Sequence, residues 1–130
     1  MFEKYIIVPQ KAKNIEKDGQ KIGFEFGVRL PYYRGLGISM VEDIQLKVDE
    51  KSVDPSKLTF IVDEKSYSLL DMQNIADVRW EMGEVATLFV EQKGGLGKGK
   101  HKLDVLINLR ISYMPFSSVR KDSKIIELIS

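Results

Sequence analysis

Apolar and polar residues alternate with a period of two along much of this chain. Phe24, Phe26, Val28 and Leu30 are separated by Glu25, Gly27 and Arg29, and Ile44, Leu46 and Val48 by Gln45 and Lys47. The longest run sets Leu103, Val105, Ile107, Leu109, Ile111 and Tyr113 against Asp104, Asn108, Arg110 and Ser112, with Leu106 the one apolar interruption. Side chains of an extended chain point alternately to opposite faces, so each run predicts a strand with one buried face. Residues 5–8, 58–62, 85–91 and 124–129 are shorter candidates. Asp18-Gly19, between 14–17 and 21–26, predicts a two-residue hairpin, because both residues tolerate the positive φ such turns need. Asp54-Pro55-Ser56 and Asp63-Glu64-Lys65-Ser66 mark further turns, and the glycine-rich tract 94–100 is expected to be a flexible hairpin connection. Only a short helix, within 69–78, fits the remaining pattern. Many strands without a long helical stretch predict one all-β domain over residues 1–130, an antiparallel β-sandwich of two packed sheets.

Composition narrows the function classes more than it changes the fold. The 130 residues are 43% apolar and 30% charged, which suffices for one core and excludes a disordered chain. Twenty basic residues face 19 acidic ones, so the basic excess of a nucleic-acid binder is missing. The absence of cysteine rules out disulfides and thiolate metal sites. Met1-Phe2-Glu3-Lys4-Tyr5 is charged and Ile6-Ile7-Val8 is too short for a signal-peptide core; no apolar run approaches a membrane span. A cytoplasmic protein without membrane contact is expected.

Candidate chemistry is sparse. Gly94-x-x-x-x-Gly99-Lys100 fits most of a phosphate-binding loop, yet His101 stands where a serine or threonine hydroxyl is required, and a strand rather than a helix is expected next. His101 is the sole histidine, so a zinc site or a serine triad would have to be built around it from distant residues. The blander reading makes it a turn or surface histidine. The acids share no calcium-loop spacing, so no metal site is expected in this chain.

Leu30-Pro31-Tyr32-Tyr33-Arg34-Gly35-Leu36-Gly37 is the strongest recognition signal, because two tyrosines beside an arginine are residue types enriched at contact surfaces. The competing reading has a tyrosine capping the core beside a solvated arginine. Arg79-Trp80 poses the same choice between a core tryptophan with an arginine neighbour and a contact surface. So do Arg110 on the polar face of the long strand and Tyr113-Met114-Pro115-Phe116 at its end.

Taken in order, Arg29-Leu-Pro-Tyr-Tyr-Arg-Gly-Leu36, Ile44-x-Leu-x-Val-Asp49, Val78-Arg-Trp80, Gly94-Gly-Leu-x-x-Gly99-x-His101 and Arg110-Ile-Ser-Tyr-Met-Pro115 resemble the small β subunit of bacterial C-glycoside deglycosidases. The likeness spans nearly the whole chain, and its order and spacing carry it rather than any one motif. It implies a small all-β protein that works with a larger α subunit resembling the sugar-phosphate isomerase and epimerase (TIM-type) barrels. That partner holds a divalent metal, with manganese the expected ion. The implied substrate is a plant C-glycoside of flavonoid type whose sugar is already oxidised to the 3-oxo form. In the family the metal ligands and acid–base residues belong to the α subunit, so no catalytic residue and no cofactor is carried to this chain. Tyr32, Tyr33, Arg34, Arg79, Trp80, His101, Arg110 and Tyr113 are its candidates for a substrate-pocket rim or subunit interface. The alternative is a stand-alone carbohydrate-binding sandwich module, and a self-contained metal-free enzyme is a third reading.

Overall fold

The computed structural model describes residues 6–32, 35–75, 77–110 and 118–129. Among these described residues eleven strands follow in order: β1 (Ile7–Lys17), β2 (Gln20–Arg29), β3 (Leu36–Gly37), β4 (Val41–Val48), β5 (Lys51–Ser52), β6 (Leu58–Val62), β7 (Lys65–Ser68), β8 (Arg79–Trp80), β9 (Val85–Glu91), β10 (Gly99–Leu109) and β11 (Ser118–Leu128). They pair antiparallel as a five-stranded sheet, β1-β2-β9-β6-β7, a four-stranded sheet, β11-β10-β4-β5, and a two-stranded β3-β8 ladder. Phe24, Phe26, Phe60, Leu88 and Val90 of the first sheet meet Ile44, Leu46, Leu103, Val105 and Ile107 of the second in one buried core. This is the sandwich that the alternation predicts.

The Asp18-Gly19 turn forms as expected, with φ of 54° and 79° and Lys17 opposite Gln20. Asp49-Glu50 and Asp63-Glu64 adopt the same positive-φ pair without glycine and close the β4–β5 and β6–β7 hairpins. The helix is a single turn, Leu69–Met72, whose Ser68 hydroxyl accepts from the Asp71 backbone N–H. Among the described residues no helix is long and apolar enough to cross a membrane.

Three expectations are corrected. The candidates at 5–8 and 14–17 belong to one strand, β1, whose Lys and Gln positions hide any period; Pro9 is tolerated there because β1 is a sheet edge. The long strand ends at Leu109, so that Arg110 lies just past it instead of on its polar face; residues 111–113 of the expected run lie outside the described residues. The glycine-rich tract is no hairpin: β9 and β10 lie in different sheets, and the tract crosses between them. Nor does it dangle. Leu96 is buried, its N–H donates to Asn14 Oδ1 at 2.9 Å, and its carbonyl accepts from Asn14 Nδ2 at 2.9 Å. The strand that follows it removes the helix a phosphate-binding loop requires.

Edge strand β11 turns Arg120, Asp122 and Lys124 toward the sandwich and Val119, Lys121, Ser123 and Ile125 outward. Asp122 Oδ2 accepts from the Ile7 backbone N–H at 2.9 Å and from Lys124 Nζ at 2.7 Å. Inward charges of this kind discourage an edge from recruiting a foreign strand, and here they also fasten β1 to β11 across the seam between sheets.

Candidate functional site

The end of the sandwich where β10 finishes and β4 starts gathers four of the five described candidate residues, Tyr32, Arg79, Trp80 and Arg110. β3 pairs with β8, setting Leu36 opposite Trp80 and Gly37 opposite Arg79. The Ile38 N–H donates to the Val78 carbonyl at 2.9 Å, and the Arg110 N–H to that of Met40 at 2.7 Å. Gly35 lies so close to the Arg79–Glu81 pair that a Cβ there would collide with the Glu81 carboxylate. Gly35 therefore sits directly on the Arg79–Glu81 segment. Tyr33, Arg34 and Tyr113 lie outside the described residues.

Within this pole the aromatics and the cations divide. Trp80 is fully enclosed, edge-on to Phe60 with ring centroids 5.0 Å apart, and its Nε1–H donates to the Glu84 carbonyl at 2.9 Å. Tyr32 is buried too. These two rings build the floor, which is the structural alternative weighed for each. Arg79 and Arg110 project outward: Arg79 Nε stands 3.3 Å from Glu81 Oε1, and Arg110 Nε 3.9 Å from Glu42 Oε1. Exposed pairs of this kind contribute little stability, which leaves both guanidiniums free to change partners. Met82 and Leu70 add exposed apolar side chains. The described residues of the pole combine apolar side chains with cations and a carboxylate, which suits recognition, and supply no proton-transfer pair among themselves.

His101 is not part of it. It stands near the opposite end of β10, about 30 Å from Arg110 at strand rise. Its Nδ1 lies 2.7 Å from Asp49 Oδ2 and its Nε2 2.7 Å from the Gly97 carbonyl. Both partners are acceptors, so the two contacts are satisfied together only by the imidazolium, with a proton on each ring nitrogen. The Asp49 hydrogen bond, and then that to Gly97, hold the His101 pKa above the ordinary 6.5. The same hydrogen bond, with the Lys102 backbone N–H donating to Oδ1, holds Asp49 below its ordinary 3.8. A ring with both nitrogens engaged has no lone pair to offer as a base or metal ligand. It ties the crossover to the β4–β5 turn.

Asp49 is the partner that local reading of the sequence missed, being 52 residues away in the β4–β5 turn. The only sequence signal for it was indirect: the stretches ending in Asp49 and His101 are two of those that carry the family resemblance, and they meet here. Because the His101 pKa is raised, the tie is fully present below pH 6.5 and is lost as pH rises through the raised value. The carboxylate side fails only in acid, as pH falls through the lowered Asp49 value. Urea midpoints of the wild type should therefore decline above pH 6.5, and His101→Gln should flatten that decline. Superimposable pH profiles for the two proteins would remove His101 from the account.

A groove of about 830 Å³ runs elsewhere, along the outer face of the four-stranded sheet, between Gln45, Lys47, Leu106, Lys121 and the Val53–Pro55 wall. Its lining contains no aromatic ring. Among the described residues no three or more His, Asp or Glu gather as a metal-ligand set.

Fold and pole together describe a small antiparallel β-sandwich equipped with recognition surfaces. Residues 2–113 match the sequence family described as C-glycoside deglycosidase beta subunit. A relative of that name from Eubacterium cellulosolvens is 32% identical over 115 residues, covering 88% of this chain and 78% of its own length. The 3'-dehydrocarminate deglycosidase beta subunit of a Microbacterium species is 30% identical, covering 88% and 83%. Another C-glycoside deglycosidase beta subunit, from Arthrobacter globiformis, is 23% identical over 75% of each chain. The chain belongs to the C-glycoside deglycosidase beta subunit family.

Proposed function

We propose that this chain completes the active site of a heteromeric C-glycoside deglycosidase whose catalytic residues reside in a larger, barrel-type α subunit. The match across residues 2–113 to a family of beta subunits carries the reading. The proposed substrates are 3-oxo-C-glycosides of flavonoid type, and the reaction is a carbon–carbon lyase reaction in a cytoplasmic complex. The 3-carbonyl acidifies the C–H at C2. Removal of that proton leaves an enolate, which expels the aglycone carbon from C1 while a proton is delivered to that carbon. The products are the free aglycone and an unsaturated keto-sugar.

The divalent metal, manganese by family habit, would sit in the α subunit. The described residues of this chain offer it no ligand set. The contribution left to the sandwich is to cover the site, exclude water and shape the aglycone side. The Tyr33 ring and the Arg34 guanidinium, as residue types, suit a flat polyphenol and its phenolate. The stand-alone carbohydrate module is the weaker reading, since sugar platforms are built from exposed aromatics and the open groove has none.

Co-expression with an α subunit of the family should yield a complex that survives purification. Within that pair, Tyr33→Ala or Arg34→Ala should weaken association or lower turnover. Unchanged assembly and kinetics in both variants would reject the placement of this loop.

A further inference from the structure

Resting on the subunit reading above, we propose that the groove on the outer face of the four-stranded sheet is an accessory site for a flat, hydroxylated aromatic ring system, the chemical class of the aglycone. At about 830 Å³ the groove has the size of a ligand site, which typically spans roughly 300–1,000 Å³. Two rows of the sheet make its floor. Register sets Lys121, Leu106 and Gln45 side by side, and Ser123, Asp104 and Lys47 in the next row. Val53 and Pro55 form one wall, and that wall is fixed in advance. The Val53 N–H donates to the Leu46 carbonyl at 2.9 Å, and Asp54 Oδ1 caps the Pro55–Lys57 turn by accepting from the Ser56 N–H at 2.9 Å.

Charge selects the ligand's polar part. Among the lining carboxylates, Glu50 is engaged by Lys102 Nζ at 2.9 Å, and Asp122 by the Ile7 N–H and Lys124. Asp43 and Asp104 remain, facing Lys47 and Lys121, and these two lysines close no salt bridge among the described residues. A ligand of one charge therefore meets as many like charges as opposite ones. Hydroxyl groups suit both signs, since each donates to a carboxylate and accepts from an ammonium.

The apolar contacts select the ring. They are aliphatic throughout: Leu106 below, Val53 and Pro55 beside it, and the methylene stems of the lysines. A sugar would need an aromatic platform from the protein, and the groove has none. An aromatic ligand brings its own π face, which attracts the lysine ammoniums. Exposed Val119 and Ile125 extend the apolar lip along the β11 rim. Leu106 also lies close to the pole, four residues from Arg110, roughly 13 Å at strand rise. Asp43 adjoins Glu42, the partner of Arg110. A compound held in the groove is thus stationed beside the recognition surface of the pole.

The test titrates the isolated, isotope-labelled full chain with a trihydroxyflavone, its C-glucoside and free glucose, following amide shifts by nuclear magnetic resonance. Wild type, Leu106→Asp, Lys121→Glu and the charge-matched control Lys65→Glu on β7 are compared, with circular dichroism verifying each fold. Lys121→Glu, at an exposed position, carries the comparison if Leu106→Asp does not fold. The expected result is saturable binding of both aromatic probes, with shifts centred on Gln45, Lys47, Val53 and Leu106, and no response to glucose. Leu106→Asp and Lys121→Glu should bind at least tenfold more weakly, and Lys65→Glu as wild type. A folded wild type that binds neither aromatic probe, shifts centred outside the groove, glucose binding as well as the flavone, or groove variants binding as wild type overturn the proposal. Turnover of a 3-oxo-C-glycoside by the co-expressed pair is read in parallel. An active pair with an empty groove overturns this site and leaves the subunit reading intact. An inactive pair sinks the subunit reading, and the ligand class assigned here falls with it.

Discussion

Replacing Trp80 with alanine should destabilise the sandwich by about 3–5 kcal/mol, the range for deleting a fully buried large aromatic. That is a large part of the roughly 5–15 kcal/mol that holds an ordinary domain together. The cost has two sources. The indole fills the floor of the pole against Phe60, 5.0 Å away and edge-on, and no neighbour can close so large a void. Its Nε1–H also satisfies the Glu84 carbonyl, fixing the turn that carries Met82. Trp80→Phe should keep most of the packing and lose the hydrogen bond, falling well short of the alanine effect. Urea unfolding followed by far-ultraviolet circular dichroism measures both. A loss below about 1 kcal/mol for Trp80→Ala would mean that the residue is not the core element described here.

Asn14→Ala should cost about 2–3 kcal/mol, through groups the substitution leaves stranded rather than through volume. The Asn14 amide both donates to and accepts from the Leu96 backbone, 82 residues away, and so pins the crossover between the sheets. Leu96 is buried, and water cannot readily replace either bond. Asn14→Asp keeps the acceptor for the Leu96 N–H and loses the donor to its carbonyl, so an intermediate loss is expected. Gly95→Ala should behave like Asn14→Ala: its φ of 65° disfavours a side chain, and a Cβ would press on the Asn14 amide. If Asn14→Ala and Gly95→Ala both unfold at the wild-type urea midpoint, the crossover is not held in this way.

The sandwich was legible because its central strands bury one face and wet the other. Phe24-Glu25-Phe26-Gly27-Val28 and Leu103-Asp104-Val105 announce their direction with every second residue. Edge strand β1 lacks that contrast, since only part of its inner side meets the core, and its Lys and Gln positions read as loop. Strands as short as β3 and β8 carry no period at all; their pairing is decided by the buried Leu36 and Trp80. The crossover was misread for a related reason. Glycines announce a turn without saying whether the next strand returns to the same sheet, and that choice rests on β10 pairing with β4 and β11.

Of the candidate site, the pole was legible as residue types. Tyr32, Arg79, Trp80 and Arg110 come together, yet sequence alone left open which rings face inward and which cations face out. His101 was legible only as a solitary residue. Its partner Asp49 arrives from the β4–β5 turn, and nothing local to either position foretells the contact. Pairings of that sort are fixed by tertiary register, which a single sequence does not display.

The most direct test of the central claim is turnover of a 3-oxo-C-glucoside by this chain alone, by the α subunit alone, and by the co-expressed pair. Aglycone release at full rate is expected only from the pair, with none from the sandwich by itself. Full-rate cleavage by the isolated chain would contradict the account, because it would place the proton-transfer machinery in a protein assigned only to cover and shape another's site.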